Sequence, residues 1–269
     1  MYPYFLLMQG FTSFKTIKLS SLLVPDLRCI WKGLVLSNLT TLKMKKCDKL
    51  THVFTINIIA SLVQLEVLKI SNCEELEQII AKDNDDENDQ ILSGSDLQSS
   101  CFPNLCQLKI RGCNKLKSLF PVAMASGLKR LRSLEVRESS RLLGVFGQDN
   151  HASPAANIEK EMVLPGLQLL SLEKLLSIVC FSHGCYDFLF PRLVMLLVRQ
   201  CPKLTTRFAT MSNLSMSAQS EVSQVVEDSS TGYSVPTTTS RMCTRNNGWW
   251  DWDEEEEEEK DEDGGGHDN

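Results

Sequence analysis

Aromatic residues make up only 7% of this 269-residue chain, histidine occurs four times, and no apolar run approaches the ~20 residues a membrane-spanning helix needs. Catalytic signatures are missing too. His52, His151, His183 and His267 are scattered, and neither a Gly-x-Ser-x-Gly elbow nor a His-Glu-x-x-His helix is present, so no enzyme activity is expected. The Gly-x-x-x-x-Gly-Lys-Ser/Thr loop that cradles nucleotide phosphates is also absent. Ten cysteines include no Cys-x-x-Cys pair. Cys180, His183 and Cys185 share one stretch, and Cys101, Cys106 and Cys113 cluster about another. Zinc sites bring ligands in tight pairs, so buried or loop thiols are expected here, with no metal or other cofactor. The apolar start at Leu6, Leu7 and Met8 is short, and no Lys or Arg precedes Lys15 to form a secretory n-region. A cytoplasmic chain with reduced thiols is expected.

What is present can build a core: 42% of residues are hydrophobic and 23% charged. The formal net charge of -6 conceals a division. Residues 250–269 carry twelve acids, including Glu254 to Glu259, against Lys260 alone. The body is therefore mildly basic and the tail strongly acidic, which defeats any whole-chain charge argument about partners.

The dominant feature is internal repetition in the register Leu-x-x-Leu-x-Leu-x-x-Cys-x-x-Leu-x-x-Ile/Val-Phe. Leu39, Leu42, Met44, Cys47, Leu50, Val53 and Phe54 form one copy; Leu105, Leu108, Ile110, Cys113, Leu116, Leu119 and Phe120 form another. Copies begin at 39, 65, 105, 131, 167 and 193, and a looser one from Phe14 to Trp31 makes seven. Spacings of 26, 40, 26, 36 and 26 alternate short with long, and the additions fall after the aromatic position.

One copy cannot bury its own apolar face, but stacked copies can. Residues two apart on a short strand point inward, those between point to solvent, and parallel pairing of successive turns closes a continuous core. The pattern predicts strands at 16–19, 41–44, 67–70, 107–110, 133–136, 169–172 and 195–198. The expected fold is a right-handed α/β solenoid with a concave parallel sheet. Trp31, Phe54, Ile80, Phe120, Phe146, Phe181 and Phe208 are expected to stack as a convex spine. The cysteine slot suits a small, weakly hydrogen-bonding group. Connections 81–101, 147–163 and 182–189 read as surface loops, the first acidic and disordered at about 82–100. Phe102-Pro103, Leu164-Pro165 and Phe190-Pro191 end them and lead into the next strand. The repeat domain is thus placed at 1–208. A disordered tail, Ser/Thr-rich and then acidic, is placed at 209–269, and its removal is expected to leave repeat stability unchanged.

On the solvent face one row reads Lys18, Lys43, Lys69, Lys109, Glu135, Ser171 and Leu197. Two residues on, a second row reads Ser20, Lys45, Ser71, Arg111, Arg137, Glu173 and Arg199. Lysines on strands ~4.8 Å apart repel by ~0.9 kcal/mol in bulk water before screening, so the row is tolerable but unfavourable. Two readings fit. In one, the lysines are solvated strand residues that discourage aggregation. In the other, Lys18, Lys43, Lys45, Lys69, Lys109, Arg111, Arg137 and Arg199 bind an acidic partner: another protein, the Asp83 to Asp89 loop or the Glu254 to Glu259 run. The strip offers roughly 380 Å², about half a standard partner footprint, so loops must contribute. No nucleic-acid, membrane or small-molecule partner is indicated.

The stretches LTTLKMKKCDKLTHVF, FPNLCQLKIRGCNKLKSLFPVAMASGLKRLRSLEV and FPRLVMLLVRQCPKLTTRF resemble the C-terminal leucine-rich repeats of plant coiled-coil, nucleotide-binding disease-resistance proteins. The resemblance spans about residues 13–208 and rests on the Phe-Pro-x-Leu lead-in, the Cys slot and the Leu-Phe-Pro turn. It implies a leucine-rich-repeat horseshoe that forms the sensing and autoinhibitory region of an intracellular immune receptor. The implied partner is a pathogen effector, a guarded host protein or the receptor's own nucleotide-binding domain, and the outcome is defence signalling. Without a phosphate loop, the chain is not itself such a receptor's nucleotide switch. Two alternatives stay open. Repeats of F-box ubiquitin-ligase adaptors look like Cys-x-x-Leu/Ile-Thr-Asp turns, whereas a turn here reads Cys47-Asp48-Lys49-Leu50-Thr51-His52. An extracellular receptor fragment would suit the sequons Asn38-Leu39-Thr40 and Asn213-Leu214-Ser215, but it calls for a signal peptide and Asn in the slot.

Overall fold

The computed structural model describes residues 14–21, 36–81, 101–147, 160–184, 186–211 and 215–219. All belong to the first of two units, residues 1–237; the second, 238–269, lies outside them. Trp31, the 82–100 insert and everything beyond 219 therefore also lie outside the described residues.

In chain order the elements are β1 (Thr16–Ser20), β2 (Thr41–Lys45), β3 (His52–Thr55), α1 (Ile56–Ile59), β4 (Val67–Ser71), β5 (Gln78–Ala81), β6 (Gln107–Arg111) and β7 (Phe120–Pro121). A 3-10 helix (Val122–Gly127), β8 (Ser133–Arg137), β9 (Gly144–Gly147), β10 (Lys160–Val163), β11 (Leu169–Glu173) and β12 (Cys180–Ser182) follow. The last four are β13 (Tyr186–Phe190), β14 (Met195–Arg199), β15 (Arg207–Thr210) and β16 (Met216–Gln219).

The front of the solenoid is a seven-stranded parallel sheet in the order β1-β2-β4-β6-β8-β11-β14. Each of its strands covers the predicted span and runs one residue further. Alternation sets the faces: Leu42, Leu68, Leu108, Leu134 and Leu170 point into the core at 1% exposure or less. Burial of each such leucine contributes about 2 kcal/mol, and stacking supplies the partner surface that a lone turn lacks.

Two recurring turns bracket the front strands, the first of the two being described from β2 onward. Before the strand, a buried residue accepts from the amide three positions on, as Leu36 does from Leu39, Leu62 from Leu65, Phe102 from Leu105 and Leu164 from Leu167. The Phe-Pro and Leu-Pro dipeptides occupy this turn rather than the strand itself. After the strand, Ser21, Lys46, Asn72, Glu138, Lys174 and Gln200 adopt φ of 52–53°, with Gly112 at 63°. Left-handed backbone costs a non-glycine residue ~1–2 kcal/mol. The cost is offset by amides donating to the next strand's last carbonyl: Lys46 to Ser71 at 3.0 Å, Asn72 to Arg111 at 2.8 Å and Glu138 to Glu173 at 3.0 Å.

The back departs from the α/β expectation. Among the described residues the helices are the four-residue α1 and the 3-10 helix; the rest of the back is strand, in the groups β3-β5, β7-β9-β12 and β10-β13-β16-β15. Among the described residues, strands take the first part of each return, and a short helix follows them only after β3 and β7. The long connections also differ from surface loops at their returns, where β10 pairs with β13 in parallel and Phe188 and Phe190 are fully buried. The aromatic spine is correspondingly broader. Phe102 lies between Phe54 (5.9 Å) and Phe120 (5.7 Å), and Phe188 stacks on Phe146 at 5.0 Å. Finally, β16 pairs antiparallel with both β13 and β15, so ordered structure continues beyond the expected boundary at 208. Of the residues beyond 208, Ser217 and Ala218 are buried between those strands.

Candidate protein-recognition face

Pairing brings the two predicted rows together residue by residue. Lys18 lies beside Lys43, Lys43 beside Lys69, Lys69 beside Lys109 and Lys109 beside Glu135, with Ser171 and Leu197 completing the row. In the second row Lys45 lies beside Ser71, Arg111 beside Arg137, and Glu173 beside Arg199.

The eight basic side chains do not share one environment. Lys18 and Arg199 are exposed; Lys43, Lys45, Lys69, Arg111 and Arg137 are half-buried. Lys109 is only 3% exposed, which corrects its expected place on an open face. The reason is the neighbouring turn. Lys109 Nζ meets Glu135 Oε1 at 3.0 Å, and the Ser133 hydroxyl donates to the same oxygen at 3.0 Å. Arg137 lies 3.2 Å from Glu173 and 3.7 Å from Glu135, and Ser171 donates to Glu173 at 3.0 Å. The middle of the face is thus a network of ion pairs across β6, β8 and β11, with the Ser133 and Ser171 hydroxyls bonded to its carboxylates. Sequence reasoning placed Glu135 and Glu173 in the rows but missed that they meet the basic residues at contact distance.

Below this network Glu138 accepts from Lys174 at 2.6 Å and from Arg111 at 3.0 Å. Those two cations hold its carboxyl below the ordinary carboxylate range, against a smaller opposing effect of burial. Glu138 and Lys174 also flank an open groove of about 560 Å³, lined further by Ser140, Leu176, Gln200 and Pro202. Its residues come from three successive post-strand turns, an adjacency that appears only once the turns are stacked.

β1, β2 and β4 read TIKLS, TLKMK and VLKIS, and contain no acid. Lys18, Lys43, Lys45 and Lys69 therefore form the basic end of the face.

The cysteine slot plays a structural part. Cys47, Cys73, Cys113 and Cys201 donate to the carbonyl two residues back at 3.3–3.6 Å, and Ser139 does the same at 3.2 Å. The Cys73 thiol is pushed up to about 12, first by its hydrogen bond with Cys113 and then by burial; burial alone takes Cys101 to about 11. Such thiols are protonated at neutral pH and chemically quiet. Among the described residues no three His, Cys, Asp or Glu side chains are arranged to hold one metal ion, and no helix is long and apolar enough to cross a membrane. Cys185 lies outside the described residues.

The family described as plant disease resistance protein RPS2-like, leucine-rich repeats, matches residues 7–74 and 75–218. The chain belongs to this family. The match reaches residue 218, within β16 and beyond 208. Repeats of this family form an interaction fold, and no enzymatic family is matched. No curated protein and no solved structure matches the chain.

Proposed function

We propose that this leucine-rich-repeat chain is a cytoplasmic, non-enzymatic recognition module of a plant disease-resistance receptor, and that it captures an acidic protein surface. The observation that carries this reading is the alignment of Lys18, Lys43 and Lys69 on three adjacent acid-free strands, with Lys45 beside them. Positive side chains recur at one register position on neighbouring rungs, and an acidic partner surface complements them in charge. Lys109, Arg111 and Arg137 serve instead to position Glu135, Glu138 and Glu173, which bound the basic end. The partner classes that fit are a pathogen effector, a guarded host protein and the receptor's own nucleotide-binding domain, with defence signalling as the outcome.

The test compares the whole chain with its Lys18→Glu/Lys43→Glu/Lys69→Glu variant in affinity capture from plant cell extract. At ~0.5 kcal/mol per exposed charge contact, three reversals weaken capture by about tenfold or more. The wild-type partners should also elute as salt rises. Identical retained proteins and identical salt release from both chains would refute the proposal.

A further inference from the structure

The front sheet ends on an edge unlike the one on which it begins. β1 carries Lys18 and follows Lys15, charges that discourage strand addition. β14 reads Met-Leu-Leu-Val-Arg, and among the described residues its single front-sheet neighbour is β11. The core behind β14 stops abruptly as well. Leu167, Leu170, Leu172 and Ile178 are fully buried, whereas their counterparts one turn on, Leu193, Leu196, Val198 and Leu204, are only partly buried. Val194 beside them is 85% exposed. The ladder of post-strand amides ends here too: Lys174 donates to the Arg199 carbonyl at 2.9 Å, and among the described residues Gln200 has no further turn to reach. On the back, β16 closes the last turns by antiparallel pairing, and the front has no equivalent closure among the described residues.

We propose that this end is a homodimer interface in which β14 pairs antiparallel with β14 of a second copy about a twofold axis at Leu197. Backbone direction sets the register. The Met195 amide donates to Gln168 at 2.9 Å and the Arg199 carbonyl accepts from Lys174, so both residues face β11. By alternation, the amide and carbonyl groups of Leu196 and Val198 face outward. In an antiparallel pair, residues that exchange both hydrogen bonds lie directly opposite each other. Leu196 against Val198 meets that condition on both sides of the axis and leaves Leu197 facing Leu197.

Side-chain chemistry agrees with this register. Arg199 falls opposite Met195, so no like charges meet, while Leu196 and Val198 join the two cores. An extended peptide would satisfy the backbone edge but leave the core's cross-section open. A second copy brings the same cross-section of Leu193, Leu196, Val198 and Leu204. The twofold axis keeps both solvent faces on one side of a continuous sheet, so the proposal is independent of what the basic end binds.

Charge pairing at Leu197 tests it in the full chain. Other turns already carry Lys18, Lys43, Lys69 and Glu135 at this register position, so Leu197→Glu and Leu197→Lys keep the fold, with melting temperature as the check. By analytical ultracentrifugation the wild type is expected to sediment as a dimer and each variant alone as a monomer, because like charges then oppose at the axis. An equimolar mixture of the two variants should dimerise again. A wild type that stays monomeric at every attainable concentration, single variants that dimerise as it does, or a mixture that stays monomeric would each overturn the proposal.

Discussion

At the scale of single residues, the middle of the recognition face depends on a compensated pair. Lys109 and Glu135 are each 3% exposed, and removing either takes a counter-charge at 3.0 Å from the other while leaving it held away from water. Lys109→Met should therefore destabilise the chain by about 3 kcal/mol, whereas Lys109→Met with Glu135→Leu should cost far less; urea denaturation of the four chains in the cycle measures the difference. Glu138 gives a pH signature. Its carboxyl is held low in the folded chain by Lys174 and Arg111, so its stabilising contribution is complete above the unfolded-state value and is lost as pH falls through the folded one. Since the side chain is about a third exposed, solvent screens the effect. Glu138→Gln should lower stability modestly at neutral pH and leave it nearly unchanged at acid pH, read from thermal melts of both chains across the carboxylate range.

At the scale of elements, each turn is defined less by its strands than by the bends around them. A buried residue and its following turn lead in, and a left-handed residue leads out, passing its amide to the next turn's carbonyl. The return of the 182–189 connection shows how far packing overrides a loop-like sequence. Phe188 stacks on Phe146, meets Phe181 edge-on at 5.1 Å and is fully buried. Phe188→Ala should cost about 3–5 kcal/mol, in the range of a large core truncation; a surface-loop position would change by less than ~0.5 kcal/mol. A guanidinium titration of the variant decides between them.

At the scale of the whole molecule, stability runs along one dimension, because each turn contacts only its neighbours. Turns around β6 and β8 are packed on both sides and carry the charge network, whereas β1 and β14 end the sheet among the described residues. Hydrogen exchange should be slowest in β6 and β8 and fastest in β1, which among the described residues pairs with β2 alone. If β14 is sealed by a second copy, its exchange should slow as protein concentration rises while that of β1 stays constant. Uniform protection across all seven front strands would contradict this gradient.

The repeat register alone determined which residues form the front strands and which side chains share a row, because a strand's two-residue period and the recurrence of leucine admit only one inward face. It also pointed to the family, since the Phe-Pro lead-in and the Cys slot are local features. Tertiary structure decided what lies between the turns. Lys109 became buried because Glu135 arrived beside it from 26 residues away. Phe188 joined the spine because a connection folded back as β13. Residues 216–219 became β16 because they lie between β13 and β15 and pair with both. None of these follows from a local pattern, since each depends on what the next turn brings within a few ångströms.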